Sequence, residues 1–166
     1  MAARWDIHTH SLISDGTTRP SDIAAEAAEA GLVGFALTDH DTIDGWDEAR
    51  AAAARHGVDF LPGIEVTTKH GRHSPHVLGY GVDPAVDELF AALDRVRDAR
   101  FSRTRRMVDL LSADYAIDWH GVVGDSEAIT IGRPHIADAL IAAGYFEDRG
   151  AAFADVLHPG SPYYVS

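Results

Sequence analysis

The chain has 166 residues, 46% of them hydrophobic and 24% charged. That suits one core-forming domain, is too short for two large ones, and is too apolar for a disordered chain. There is no cysteine, and 14 basic residues face 26 acidic ones for a formal charge of −12; disulfides, thiolate metal sites and cysteine nucleophiles are excluded, and the overall field argues against broad nucleic-acid or anionic-membrane binding.

Residues 4–9 alternate in character and predict a first strand. A loop through Ser14-Asp15-Gly16-Thr17 follows. Ser21 is expected to cap a helix that runs to Ala30 and ends at Gly31. Val33 to Leu37 predicts a second strand, Asp44 to His56 a second helix closed by Gly57, Val58 to Thr67 a third strand, and Val77 to Val82 a fourth. This strand–helix–strand–helix–strand rhythm predicts an α/β fold with a parallel sheet.

After Pro84 the strand signal fades. Ala85 to Ser112 predicts a long helix, with Leu89, Leu93, Val96, Thr104, Val108 and Leu111 at three- and four-residue steps. Pro134 to Ala143 and Asp148 to Leu157 predict two more. No apolar run approaches the ~18 residues of a membrane helix. The opening Met1-Ala-Ala-Arg-Trp-Asp lacks a signal-peptide core, so a cytoplasmic protein with no membrane partner is expected.

Ten histidines beside no cysteine direct any metal chemistry to nitrogen and oxygen ligands. The sharpest pattern is Asp6-x-His8-x-His10 at the end of the first strand. Two-residue steps of roughly 6.6 Å return side chains to one face of a strand, and the carboxyl ends of strands in α/β folds carry active sites. Two imidazoles there suit a divalent ion, with Asp6 orienting one of them from behind. Asp15 follows the first strand, Asp39-His40-Asp41 ends the second, Glu65 ends the third, and His76 precedes the fourth. Singly, each reads as a cap or a solvated loop residue. Jointly they line one sheet edge, which is how catalytic metal sites are assembled.

These residues carry a resemblance. Asp6-x-His8-x-His10-Ser11 with Ser14-Asp15-Gly16, then Thr38-Asp39-His40-Asp41, Gly63-Ile64-Glu65 and His76-Val77-Leu78-Gly79-Tyr80 resemble the PHP (polymerase and histidinol phosphatase) family in order and spacing. Gly132-Arg133-Pro134-His135-Ile136-Ala137 and the closing Gly160 to Val165 resemble one branch, which holds small nucleotide phosphatases and a 5′→3′ exoribonuclease. The resemblance implies an α/β fold: the first part of a distorted (β/α)7 TIM-like barrel with a mostly α-helical insertion. Residues 1–83 would supply barrel strands, 84–158 the insertion, and 159–166 a return towards the barrel.

By the same resemblance the cofactors are divalent metal ions, up to three, of Mn, Fe or Zn. His8, His10 and Glu65 would hold the first; Glu65 would bridge to a second held by His76; Asp15 and His40 would hold a third. Glu65, Asp15 and His40 are thus the expected catalytic positions, with Asp6 and Asp39 supporting the ligands. A metal-bound hydroxide would attack phosphorus. Arg133 and His135 at a predicted helix start, with Arg100 on the inward line of the long helix, would contact the substrate. That substrate is expected to be a nucleotide or a 5′-phosphorylated oligonucleotide.

The family pattern also has three later ligands, in an Ala-His-Pro-like and a Ser-Asp-x-His-like strand end. Ser166 comes before either motif. His158-Pro159 follows a helical segment instead of an apolar strand and is set aside as a substitute. The expectation is a fragment with six of nine usual ligands and about four of seven barrel strands, completed by a missing C-terminal part or a second chain. The rival readings are a truncated, catalytically incomplete metal-binding module and, more remotely, an amidohydrolase-type C–N hydrolase, which usually wants a lysine bridge where Glu65 stands.

The remaining features read as structural. Arg95, Arg97, Arg103, Arg105 and Arg106 are expected on a solvated helix face, and His56, His70, His73 and His120 are not expected to be ligands. Trp46 and Trp119 read as core or cover. Ser11 and Ser14 have no paired base in a triad pattern.

Overall fold

The computed structural model describes residues 3–71, 74–124 and 128–165. Arg72 and His73, expected in the exposed loop before His76, lie outside the described residues. The elements in chain order are β1 (Trp5–Thr9), α1 (Pro20–Glu29), β2 (Gly34–Leu37), α2 (Trp46–His56), β3 (Asp59–Thr67), β4 (His76–Tyr80), α3 (Asp87–Leu111), α4 (Trp119–Val123), α5 (Arg133–Ala142) and α6 (Arg149–Asp155).

The sheet order is β1-β2-β3-β4. β1, β2 and β3 run parallel, as βαβ connections through α1 and α2 require. That much follows the parallel sheet expected from the strand–helix rhythm; β4 departs from it and is antiparallel to β3. Only eight residues separate Thr67 from His76, too few for the crossover of a dozen or more residues that a parallel partner needs. The pairing of Thr67 with His76 therefore opens a hairpin ladder.

Two helix ends show how local chemistry sets boundaries. Ser21 is not the cap of α1. Arg19 holds that position and Pro20 opens the helix, because a fixed φ and a missing N–H suit the first helical residue. α2 ends as its sequence predicts, with Gly57 in the left-handed region at φ 69°. The sequence reading missed α4; Asp118 caps it, accepting the Gly121 N–H at 2.7 Å.

The chain forms two compact units, Met1–Val96 with Glu127–Thr130, and Arg97–Ser126 with Ile131–Ser166. In the first unit, Ile23, Ala24 and Ala27 of α1 and Trp46, Ala49, Ala52 and Ala53 of α2 form a core with Phe35 and Leu37. All four residues of β2 are buried. Trp46 belongs to this core and donates its indole N–H to the Gly63 carbonyl at 2.8 Å. In the second unit, Met107, Val108 and Leu111 of α3 pack with Ile136, Ala137 and Leu140 of α5 and with Val156 and Leu157. Trp119 is a partly buried cover on that core. Among the described residues no helix is long and apolar enough to cross a membrane.

Candidate metal centre

The centre is built at the carboxyl ends of β1, β2 and β3, where the loops leave the sheet. In β1 the register to β2 shifts between Asp6 and Thr9. Such an irregularity re-aims side chains and releases a backbone group from the ladder. Asp6 meets the backbone N–H of His8 at 3.1 Å. Its contact is thus with the main chain of the histidine, not with the imidazole that the sequence reading expected it to orient.

Glu65 of β3 stands among four imidazoles. Its Oε2 lies 2.9 Å from His8 Nε2, 2.8 Å from His10 Nε2 and 3.9 Å from His40 Nδ1, and its Oε1 lies 2.9 Å from His76 Nδ1. Asp15 reaches the other side of two of these rings, 3.4 Å from His10 Nδ1 and 3.3 Å from His40 Nε2. The structure therefore brings together His8, His10, Asp15, His40, Glu65 and His76. The ring centroids of His8–His10, His10–His40 and His40–His76 are 5.1, 4.8 and 4.8 Å apart.

These distances set the electrostatics. Burial alone would raise the Glu65 pKa; the His8 hydrogen bond and the fields of His40, His10 and His76 outweigh it and hold the carboxyl below its ordinary 4.5. Burial lowers the His10 pKa from 6.5, and His40 adds to that, against the pull of Asp15, Glu65 and Asp39. A neutral imidazole beside an ionised carboxylate is the protonation state that metal binding requires.

The side chains fit divalent ions. Three groups, His8-His10-Glu65, His10-Asp15-His40 and His40-Glu65-His76, each hold ligand atoms within 4.8 Å of one another. Each offers two imidazole nitrogens and one carboxylate, a set suited to Mn, Fe or Zn. His40 Nδ1 is buried and has no hydrogen-bond partner. A buried ring nitrogen left that way carries a desolvation cost that a ligated cation removes.

A buried polar network supports the histidines. Asp39 is 1% exposed. Its Oδ1 accepts the Ser11 N–H at 2.7 Å and the Ser14 hydroxyl at 2.6 Å, and its Oδ2 accepts the Ser11 hydroxyl at 2.6 Å. Ser14 Oγ in turn lies 3.4 Å from His10 Nδ1. Asp39 thus acts on the loop that carries His10 and Asp15. In the sequence, Ser11 and Ser14 stand out only as serines without a paired base; their place in the loop after β1, facing an Asp at the next strand end, is the signal for this network. Thr130 was likewise missed, and its hydroxyl donates to the His40 carbonyl at 2.7 Å.

Arg100, Arg133 and His135 belong to the second unit. Arg100 is 8% exposed, as its line on α3 predicts, and its guanidinium approaches Gly132 closely enough that a Cβ there would lie 3.0 Å from Nη2. Arg133 donates to the Leu157 carbonyl at 3.1 Å, and its guanidinium carbon sits 5.2 Å from the Phe153 ring centroid and 5.7 Å from that of Tyr164. Burial first, then the Arg103 and Arg100 charges, lowers the Arg133 pKa. His135 accepts the Gly132 N–H at Nδ1, 3.2 Å away, at the start of α5.

Comparison with known proteins identifies the family. The PHP domain family matches residues 6–140. A 3′,5′-nucleoside bisphosphate phosphatase of Chromobacterium violaceum is 40% identical over 171 residues, spanning 99% of this chain and 58% of its own length. A 5′-3′ exoribonuclease of Haemophilus influenzae is 31% identical over 168 residues, spanning 99% of this chain and 60% of its own. This chain thus spans less than two thirds of the curated relatives it matches. Among solved structures, a Bifidobacterium adolescentis protein provisionally named a metal-dependent phosphoesterase superposes with a TM-score of 0.94 at 43% identity, over 100% of this chain and 59% of its own. A Chromobacterium violaceum protein named an amidohydrolase, with bound sulfate and no metal, superposes with a TM-score of 0.90 at 40% identity, over 99% of this chain and 58% of its own. Motif order, clustered side chains and these matches converge: the chain belongs to the PHP family.

Proposed function

We propose that the chain carries the metal centre of a phosphoesterase that hydrolyses phosphate esters of nucleotides or of 5′-phosphorylated oligonucleotides. The observation that carries this reading is the overlap of the three ligand groups: His10, His40 and Glu65 each belong to two of them. Shared ligands hold neighbouring ions close, the arrangement used for in-line displacement at phosphorus. The likeness to a nucleoside bisphosphate phosphatase and an exoribonuclease supports the substrate class.

His8, His10 and Glu65 would hold one ion, Glu65 and His76 a second, and Asp15 and His40 a third, of Mn, Fe or Zn. Such ions, when bound, supply an acidified water and positive charge for a phosphoryl oxygen. The protein's own groups prepare that chemistry. Glu65 stays ionised below its ordinary range and can face two ions with its two oxygens. Asp39, through Ser14, holds the loop bearing His10 and Asp15. Arg100, Arg133 and His135 are proposed as anion-binding residues of the second unit, and β1–β4 as the first part of a distorted (β/α)7 barrel with residues 84–158 as its helical insertion.

The name of the Chromobacterium structure keeps the amidohydrolase reading in view. Lys69 is the single lysine of the chain, and it is exposed in the turn after β3. The shared position among the ligand groups is held by a carboxylate, Glu65, and not by a lysine, which favours the phosphoesterase reading. The test is a substrate panel on the Mn-loaded full chain: nucleoside monophosphates, 3′,5′-bisphosphonucleotides, a 5′-phosphorylated RNA and an N-acyl amino acid. Phosphate or nucleotide release, lost in His8→Ala, is expected. Amide cleavage alone, or release unaffected by His8→Ala, contradicts the reading.

A further inference from the structure

We propose that Asp41 is a positioning residue that sets the spacing of His40 and Glu65 by supplying, with its side chain, the rung of the β2–β3 ladder that its own backbone cannot. The inference rests on the metal-centre reading above for its consequence, and on backbone geometry for its substance.

Beyond β2 the pairing with β3 continues as an isolated parallel bridge between His40 and Glu65. Glu65 donates its N–H to the Asp39 carbonyl at 3.2 Å and accepts the Asp41 N–H at 3.0 Å. Both backbone groups of Glu65 are therefore fixed by the residues flanking His40. In a parallel ladder that ran on, the next donor, the Thr67 N–H, would bond to the main-chain carbonyl of residue 41. It bonds instead to Asp41 Oδ1, at 2.7 Å.

The reason is the backbone of Asp41. Among the described residues it is the non-glycine residue held at positive φ, 55°. That left-handed turn carries the chain out of the sheet towards α2 and takes the residue 41 carbonyl away from the ladder. Asp and Asn are the non-glycine residues that best tolerate this conformation. They also carry a side-chain carbonyl-like oxygen that can stand in for a backbone one. Asp41 is fully buried. One residue thus does two things: it lets the chain leave the sheet directly after His40, and it keeps β3 pinned to the point of departure. Two ligand candidates on neighbouring strands are held at a fixed offset, with Glu65 Oε2 3.9 Å from His40 Nδ1.

Asp41→Asn keeps the left-handed tolerance and the acceptor. Asp41→Gly keeps the conformation and removes the acceptor. The two are compared with the native full chain by titration with Mn2+ alone, and by the His40 imidazole 15N resonances of the metal-free protein. The Asn variant is expected to bind Mn2+ within about twofold of native. The Gly variant should bind roughly 10–100-fold more weakly, the usual scale for losing a supporting group behind a metal ligand. The His40 resonances should be native in Asn and displaced in Gly.

Native binding and resonances in Gly would overturn the proposal, since the turn alone would then suffice. Equal loss in Asn and Gly would overturn it too, since charge and not the acceptor would matter. If Gly does not fold, the folded Asn variant decides: native resonances support the proposal and displaced ones refute it. If the native chain binds no Mn2+, the metal reading fails while the metal-free resonances still decide the role of Asp41.

Discussion

Thr130 donates its hydroxyl to the carbonyl oxygen of His40 at 2.7 Å, across 90 residues of chain. Thr130 is 2% exposed and His40 is 7% exposed, so the bond forms away from water. One residue earlier, the Ile129 N–H donates to the Ile13 carbonyl at 2.9 Å. The segment 128–130 therefore returns from the helical half of the sequence to tie two loops of the first unit.

Thr130→Val keeps the shape and removes the donor. It leaves a buried carbonyl short of a partner and should cost about 1–3 kcal/mol. Thr130→Ser should restore most of that. Urea unfolding midpoints of the three proteins check the order; a Val variant as stable as native contradicts it.

Gly16 shows the tightness of the loop that carries Asp15. A Cβ at Gly16 would strike the His10 carbonyl group, and it would lie 2.8 Å from the Ser11 nitrogen. These are backbone atoms, so no side chain can swing aside. Gly16 N–H also donates to the Ser11 carbonyl at 3.0 Å. Gly16→Ala should destabilise the protein by about 1–3 kcal/mol, the scale of overpacking, and displace Asp15 from His10 and His40. Thermal unfolding checks the first effect and metal content the second.

His10 gives the metal-free protein a pH dependence. Its pKa is lowered from 6.5, by burial first. The unfolded chain thus takes up this proton before the folded one does. The contribution is fully present above the unfolded value of about 6.5 and is lost as the pH falls through and below it. The thermal midpoint of chelator-treated protein should fall between about pH 7 and pH 5, and His10→Gln should flatten that fall. An unchanged slope in the variant contradicts the assignment.

Much of this was legible in the sequence because the signals are local. Alternation and glycine punctuation located β1–β4 and α1–α2 to within a few residues, and the three- and four-residue spacing put Arg100 on the buried line of α3. The metal-binding candidates were legible because each sits at a strand end or, for Asp15, in the loop that follows one. What escaped depends on contacts between distant segments. Ser11 and Ser14 matter through Asp39, Thr130 through His40, and Asp41 through Thr67; no spacing rule links those pairs. The register shift in β1 and the reversal into β4 escaped because alternation reports which face a residue takes and not its partner's register or direction. The cap of α1 was misplaced because Pro20 outranks a neighbouring serine at a helix start.

Glu65 is the centre of the account, since both of its oxygens face imidazoles and two of the three ligand groups include it. Glu65→Gln should remove most metal binding and lower phosphoester hydrolysis by at least about 100-fold, while the network around Asp39 keeps the chain folded. Circular dichroism separates loss of function from loss of fold.

The most direct test is elemental mass spectrometry of metals per chain on purified protein of verified mass. The account predicts two or three Mn, Fe or Zn ions per native chain, falling to one or none in Glu65→Gln. A native protein holding one ion or none after incubation with these metals would contradict it.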